Sequence, residues 1–349
     1  MCGDACFDTN ATADHCGACG HSCGAGQCTA GACEPFVAAG GFTKVHAIAI
    51  SPSGLVIAAD SDVSLCSDPK GCPATSSLKT VKAGISQLND VTVAGADVYF
   101  DGNEGDAEIV WRCPTAGCPA AGPTVVENVV NDAIGRVVAG PTSILWTRYD
   151  SYYGPYSRRC ALPGCASNVD VRPQPSTGPY YDNPARENTV PSKVVSVGAT
   201  STLWATGALY NDNGKQLRSC PLNGPCATPN EISTNSNTVT ALTYYDGKHY
   251  GASGDGSGGT IIFAVSDAAP GARTPLVSDA AGVTDIAVDA SGIYWLNGTT
   301  GKIHRCAQLT GCAGSGATLA TAQTGATRIR LDDKFVYWAR PTIVMKVAK

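Results

Sequence analysis

Charge is scarce in this chain: Asp, Glu, Lys and Arg together make up 15% of its 349 residues, well under the roughly 25% of an average soluble protein. Only six glutamates and five histidines are present, so the side chains that most often carry acid–base or metal chemistry are few. No G-x-S-x-G, H-E-x-x-H or Walker loop occurs, which removes the strongest local signatures of hydrolases, zinc proteases and nucleotide-binding enzymes. No apolar run approaches the roughly 18 residues of a membrane-spanning helix. The net charge of −5 comes without a basic cluster, so the electrostatic footprint of a nucleic-acid binder is missing. Helical bundles are also disfavoured: Gly, Pro and Thr interrupt every long window, and runs such as Val91–Val93 and Val194–Val197 favour strands.

What is abundant points the other way. Hydrophobic residues at 43% supply a sizeable core, and 40 glycines with 21 prolines imply many turns, the composition of an all-β protein. Seventeen cysteines are too many for a reducing cytosol unless metal holds them, so the expected home is oxidising: secreted, periplasmic or on the outer cell surface. Met1-Cys2-Gly3 opens without an apolar targeting segment, and Met1 is read as the start of a trimmed chain whose export signal has been removed.

A repeat dominates the rest. The clearest unit, VTDIAVDASGIYWLNGTTGKIHRCAQLTGC from Val283, followed by ATLAT, reads as four short strands: Asp285–Asp289, Ile293–Leu296, Lys302–Cys306 and Ala317–Ala320. A bulky anchor on the second strand recurs at Phe100, Trp146, Trp204, Tyr250, Trp295 and Trp338, with Ala58 in the first unit. The steps are 42, 46, 58, 46, 45 and 43 residues, close to the roughly 40–45 of a four-stranded propeller blade. The long step is absorbed by the Pro- and Tyr-rich stretch 172–191. Seven anchors predict a seven-bladed β-propeller of four-stranded blades. The last unit holds only three strands, and Glu34–Ala38 is a candidate for the missing outer one, which would close the ring and hide two sheet edges. The segments IYWLN and VYWAR make residues 45–349 resemble the YWTD-type blades of lipoprotein-receptor propellers, which usually have six.

Five units carry a cysteine pair after the third strand: Cys66/Cys72, Cys113/Cys118, Cys160/Cys165, Cys220/Cys226 and Cys306/Cys312. A lone pair supplies only two of the four ligands zinc prefers, so these are expected to be disulfides. Seven more, Cys2, Cys6, Cys16, Cys19, Cys23, Cys28 and Cys33, fall within residues 1–33, a stretch too short to fold without cross-links. Residues 34–349 are then the propeller. The CG-x-C and spaced C-x-x-G-x-C segments of the N-terminal module resemble those of plant stigma-specific secreted proteins and of lipoprotein-like proteins from myxobacteria. A zinc knuckle from Cys16, Cys19, His15 and His21 is the alternative. Seven is odd, which makes Cys2 the natural orphan, or a lipid-modified first residue.

Recognition is expected on the face shared by the fourth-to-first and second-to-third strand connections. Blade three offers TRYDSYYGPYSRR, with Tyr149, Tyr152, Tyr153 and Tyr156. The connection into blade four brings Tyr180, Tyr181, Asp182 and Arg186, and blade four's own loop brings Tyr210. Seven of thirteen tyrosines thus fall in one sector, and tyrosine is a favoured contact residue. The expected ligand is a glycan, peptide or protein; the alternative is that these insertions merely pack on one another. A second candidate is a charged ring near the start of the innermost strands, Asp90, Arg136, Asp285 and Arg328, with His46 nearby. Inter-blade ion pairs, Asp90–Arg136 and Asp285–Arg328, are the simpler account of it. Calcium could be held by Asp101, Asn103, Asp106 and Glu108, closely spaced oxygen ligands in a Gly-rich loop. No other cofactor is expected. A binding protein is therefore favoured over a channel-sited lyase or hydrolase using His46 with Asp90 or Asp285, and over a structural subunit of an extracellular assembly.

Overall fold

The computed structural model describes residues 7–349 except 131–132, 151–153, 166–167, 171–190, 207–216, 223–228, 233–237, 256–258, 279, 281, 313 and 315. Seven four-stranded antiparallel sheets stand around a central channel. In chain order they span residues 45–82, 91–130, 133–170, 191–232, 239–277, 283–320 and 328–348. The innermost strands pack side by side in a closed ring, from Val45–Ser51 through to Arg328–Leu331, which returns to Val45–Ser51. The seventh sheet has only three strands of its own. Its outer edge is filled by Phe36–Ala39, antiparallel to Val344–Ala348, so the chain closes the ring with a strand from the opposite end of its sequence.

The strands of blade six are Val283–Asp289, Gly292–Asn297, Lys302–Cys306 and Ala317–Ala320; the first two extend beyond the bounds the repeat predicts and the last two coincide with them. Every second-strand anchor is buried, none more than 3% exposed. These rings fill the space between neighbouring sheets, and their recurrence is the period of the repeat. In two places strands replace expected loops. Asp97–Glu104 and Ala107–Pro114 form a long hairpin in blade two, and Ser143–Asp150 with Gly154–Ala161 form another in blade three. Asp, Gly and Asn read as loop residues locally, yet cross-strand pairing overrides that preference. Tyr149 and Tyr156 therefore stand on paired strands.

Disulfides close Cys66–Cys72, Cys113–Cys118, Cys160–Cys165 and Cys306–Cys312, with Cα–Cα distances of 5.8, 4.9, 4.8 and 5.8 Å. Cys220 is also disulfide-bonded; Cys226 lies outside the described residues. The stapled loops reach the neighbouring blade. Cys72 N donates to Ala38 O on the closing strand, Cys118 N to Val81 O, and Cys312 N to Leu276 O. Each bond ties one blade to the outer strand of the blade before it. The glycine preceding the second cysteine makes this approach possible: Gly71, Gly117, Gly164 and Gly311 have φ of +104°, +114°, +92° and +102°. At Gly311 an added Cβ would lie 2.1 Å from Leu276 O. Gly311→Ala is expected to cost about 1–3 kcal/mol in denaturant unfolding. Gly314→Ala, at a turn where a Cβ meets nothing within 4 Å, is expected to cost less.

Within the N-terminal stretch, Cys16 pairs with Cys28 and Cys23 with Cys33, and Cys19 is disulfide-bonded too. The zinc-knuckle alternative is thereby removed, because disulfide sulfurs are not thiolate ligands. Its histidines have other partners: Gly20 N donates to His15 Nδ1, and His21 lies against the carbonyl oxygens of Cys16 and Lys349. Cys16, Cys23 and Cys33 join one buried cluster with Phe335, Val336 and Val347 of blade seven. Cys2 and Cys6 lie outside the described residues. Among those described, no helix is long and apolar enough to cross a membrane.

Candidate functional site

Strand direction alternates across each sheet, so the second-to-third connections and the entries to the innermost strands share one face of the disc. The ends of Asp150 and Gly154, of Asp170 and Pro191, and of Thr206 and Leu217 all open onto it. They bracket the tyrosine-rich connections. Tyr152, Tyr153, Tyr180, Tyr181, Asp182, Arg186 and Tyr210 themselves fall outside the described residues, and Tyr149 and Tyr156 are described for their backbone alone.

The charged ring comes together near the same face. Arg136 Nε lies 3.5 Å from Asp90 Oδ2, joining blades three and two. Asp285 pairs with Arg330 at 3.1 Å rather than with Arg328. The reason is local: Ile329 N donates to Asp285 Oδ2 at 2.9 Å, which holds the carboxylate past Arg328 and within reach of the next arginine on that side of the strand. Burial pulls the Arg136 pKa below its usual value, and Arg328 and Arg330 add to this, while Asp90 and Asp285 oppose it. Five ionic groups from four blades are thus in electrostatic contact: three guanidiniums and two carboxylates. Arg330 belongs to this collar and was not singled out by its spacing from the anchor.

The acidic stretch of blade two does not gather. Asp101 is fully buried; its carboxylate accepts hydrogen bonds from Asp90 N and Asn89 Nδ2. Burial, with Asp90 and Glu108 nearby, raises its pKa well above the usual range. Glu108 instead accepts from Ile134 N of blade three, and Asp106 sits exposed at the hairpin turn. Asn103 donates to Gln87. Among the described residues, Asp101, Asp106 and Glu108 do not meet in one ligand-sized cluster. His46 lies beside Lys44 and Asp60, its pKa lowered by burial and by Lys44. It does not join Asp90 and Asp285, which are engaged by arginines.

Comparison with known proteins gives the fold and no family. No family model matches the chain, and no curated protein does. Among solved structures, the WD40 β-propeller domain of Doa1 superposes with a TM-score of 0.61 at 13% identity, covering 90% of this chain and 97% of that one. The uncharacterized protein lmo1340 from Listeria monocytogenes gives 0.58 at 8% identity, covering 88% and 92%. The PQQ-bound aldose sugar dehydrogenase from Streptomyces coelicolor gives 0.50 at 12%, covering 90% and 96%.

One cluster escapes sequence reasoning altogether. His249, on the second strand of blade five, is completely buried. Its Nε2 donates to Asp267 Oδ1 at 3.1 Å, and its Nδ1 lies 2.7 Å from Ser196 Oγ of blade four. The Asp267 carboxylate also accepts from the backbone N–H groups of Ala199, Thr200 and Ser201 and from Ser201 Oγ, at 2.7–2.9 Å. An anionic Asp267 fixes the proton on Nε2, leaving Nδ1 to accept from Ser196. Ser, His and Asp in hydrogen-bond contact have the composition of a nucleophile relay. Here Ser196 is 1% exposed and His249 0%, so no substrate carbonyl reaches them. The cluster locks blade four's first turn onto blade five.

Proposed function

We propose that this protein is an extracytoplasmic binding propeller that recognises a glycan, peptide or protein partner through the tyrosine-rich face of blades three and four. The observation that carries this reading is that the described strand ends flanking the three tyrosine-bearing segments all lie on one face, the face onto which the charged collar also opens. Tyrosine at such a site offers a large apolar ring with a polar tip at low entropic cost. The disulfides support an oxidising location. The cysteine-rich stretch, packed against blade seven, would act as a spacer or as a contact to a second chain. The alternative of a channel-sited metal enzyme would use His46 with Asp90 or Asp285, and both of those carboxylates are engaged by arginines.

Binding to arrayed and cell-surface glycans, measured for the wild type and for Tyr152→Ala/Tyr153→Ala/Tyr181→Ala, tests the reading. Loss of about tenfold or more in affinity, equivalent to roughly 1.4 kcal/mol, is expected in the triple variant with its melting temperature unchanged. Binding that survives the triple substitution moves the site elsewhere. Absence of glycan binding by the wild type turns the search to protein partners and to a structural role.

A further inference from the structure

The central channel holds a cavity of about 500 Å³, within the range of small-ligand sites. Two features define what it would accept. The first is its wall. Each innermost strand is the terminal strand of its sheet, so one row of its backbone N–H and C=O groups lies outside the ladder on the channel side. Part of that row is taken up by side chains of the adjoining blade, as Ile134 N is by Glu108, Ala139 N by Thr92 and Ile329 N by Asp285. Hydroxyl side chains are added by Thr243 and Tyr244. Alternating donors and acceptors on several converging edges suit a ligand that carries many hydroxyl groups, and suit a hydrocarbon poorly.

The second feature is the collar at one end of the cavity, to which Arg136, Arg330 and Asp285 contribute. Both carboxylates are committed, Asp90 to Arg136 and Asp285 to Arg330 and the Ile329 amide. Among the described residues of the collar this leaves one positive charge in excess. It resides with Arg328, which does not line the cavity itself but lies within electrostatic reach of Arg136, which does, and whose buried Nε has no hydrogen-bond partner. A guanidinium next to a polar cavity is matched by a planar carboxylate, which it binds through two parallel hydrogen bonds.

We propose that the central channel binds a hydroxylated organic monoanion, a sugar acid, with its carboxylate on the arginine collar and its hydroxyl groups on the exposed strand edges. The site lies within the channel, whose collar opens onto the same face as the tyrosine-bearing connections, and it uses none of those tyrosines, so it stands whether or not they bind a partner.

Isothermal titration of the full chain with D-glucuronate, D-glucose and D-glucosamine tests it. Glucuronate is expected to bind about tenfold or more tightly than glucose, and glucosamine more weakly than both, as a charge-assisted contact requires. Arg328→Gln leaves both ion pairs intact and is expected to erase most of the preference for glucuronate. Arg330→Gln, which retains a donor to Asp285, is expected to do the same. Thr243→Phe, which fills the cavity from a half-buried position on its wall, is expected to abolish binding of both sugars. Melting curves report that each variant is folded, and Arg328→Gln alone keeps the test decisive if another variant is not. The proposal is overturned if the wild type fails to distinguish glucuronate from glucose or binds neither. It is equally overturned if Arg328→Gln binds glucuronate as the wild type does, or if a folded Thr243→Phe retains binding.

Discussion

Asp267→Ala is expected to destabilise the protein by about 3–5 kcal/mol, the cost of stripping a buried charge from a fully hydrogen-bonded site. Three backbone N–H groups of residues 199–201, the Ser201 hydroxyl and His249 Nε2 converge on this one carboxylate. The Ser201 amide and hydroxyl and the His249 Nε2 would be left buried without their acceptor. Native domains hold only about 5–15 kcal/mol in total, so urea or thermal unfolding would show the loss plainly. Asp267→Asn keeps the shape but turns an amide N–H₂ towards groups that are themselves donors, and is expected to recover little. Gly198→Ala attacks the same lock from the other side, because its Cβ would lie 2.1 Å from Asp267 Oδ1. If Asp267→Ala shifts the unfolding midpoint no more than a surface substitution does, the lock is not a stabilising element.

The same carboxylate makes a pH signature. Burial alone would raise its pKa, but hydrogen bonds from His249, Ser201 and the Thr200 amide outweigh that and hold it far below the ordinary value of 3.8. The folded form therefore keeps Asp267 ionised where the unfolded chain has begun to take up a proton. Stability from this group is fully present above the unfolded value and is lost as pH falls from there towards the folded one. Urea midpoints measured from about pH 5 down to pH 2 should fall steeply in the wild type and less steeply in Asp267→Asn. Parallel slopes would assign the acid sensitivity to other carboxylates.

The contrast between what was legible and what was not has a physical basis. Trp146, Trp295 and Trp338 announce their blades because every sheet but the first buries a large ring in the same place, and that feature repeats at a nearly constant interval. The cysteine pairs announce their hairpins because closure demands short spacing. The closing strand was visible because blade seven ran out of chain, and a half-built sheet edge needs a partner. Nothing of the kind marks Ser196, Ser201, His249 and Asp267. They are common residues, up to 71 positions apart, brought together only by the docking of two blades. Arg330 failed to stand out for a related reason: the anchor spacing selects Arg328, and only the Ile329–Asp285 hydrogen bond moves the pairing along the strand.

Deleting residues 1–39 is expected to open the ring and abolish cooperative folding, whereas deleting only residues 1–33 is expected to weaken the protein without opening it. Phe36–Ala39 carries the pairing to Val344–Ala348, and Ala38 and Ala39 are buried. The Phe36 ring meets Phe335 edge-on at 6.1 Å. Beneath them lies Lys346, 2% exposed, with its ammonium 4.6–5.5 Å from the centroids of Phe36, Phe335 and Tyr337 and donating to Pro69 O of blade one. Burial lowers the Lys346 pKa, while Asp332 and Asp68 oppose the shift. The strand thus covers a buried cation as well as an edge, and it accepts the Cys72 N–H through Ala38 O. Its lost hydrogen bonds and ring burial sum to about 5 kcal/mol, before counting the cost of a desolvated ammonium stripped of one aromatic face. Residues 1–33 lack that role in the sheet, although their removal uncovers the Phe36 and Phe335 rings next to Gly24. Size-exclusion profiles and melting curves of the two truncated forms separate these contributions. A 1–39 deletion that stays monomeric and melts as sharply as the 1–33 deletion would mean that the ring holds without its fourth strand, and that the order of the seventh sheet follows from packing between blades alone.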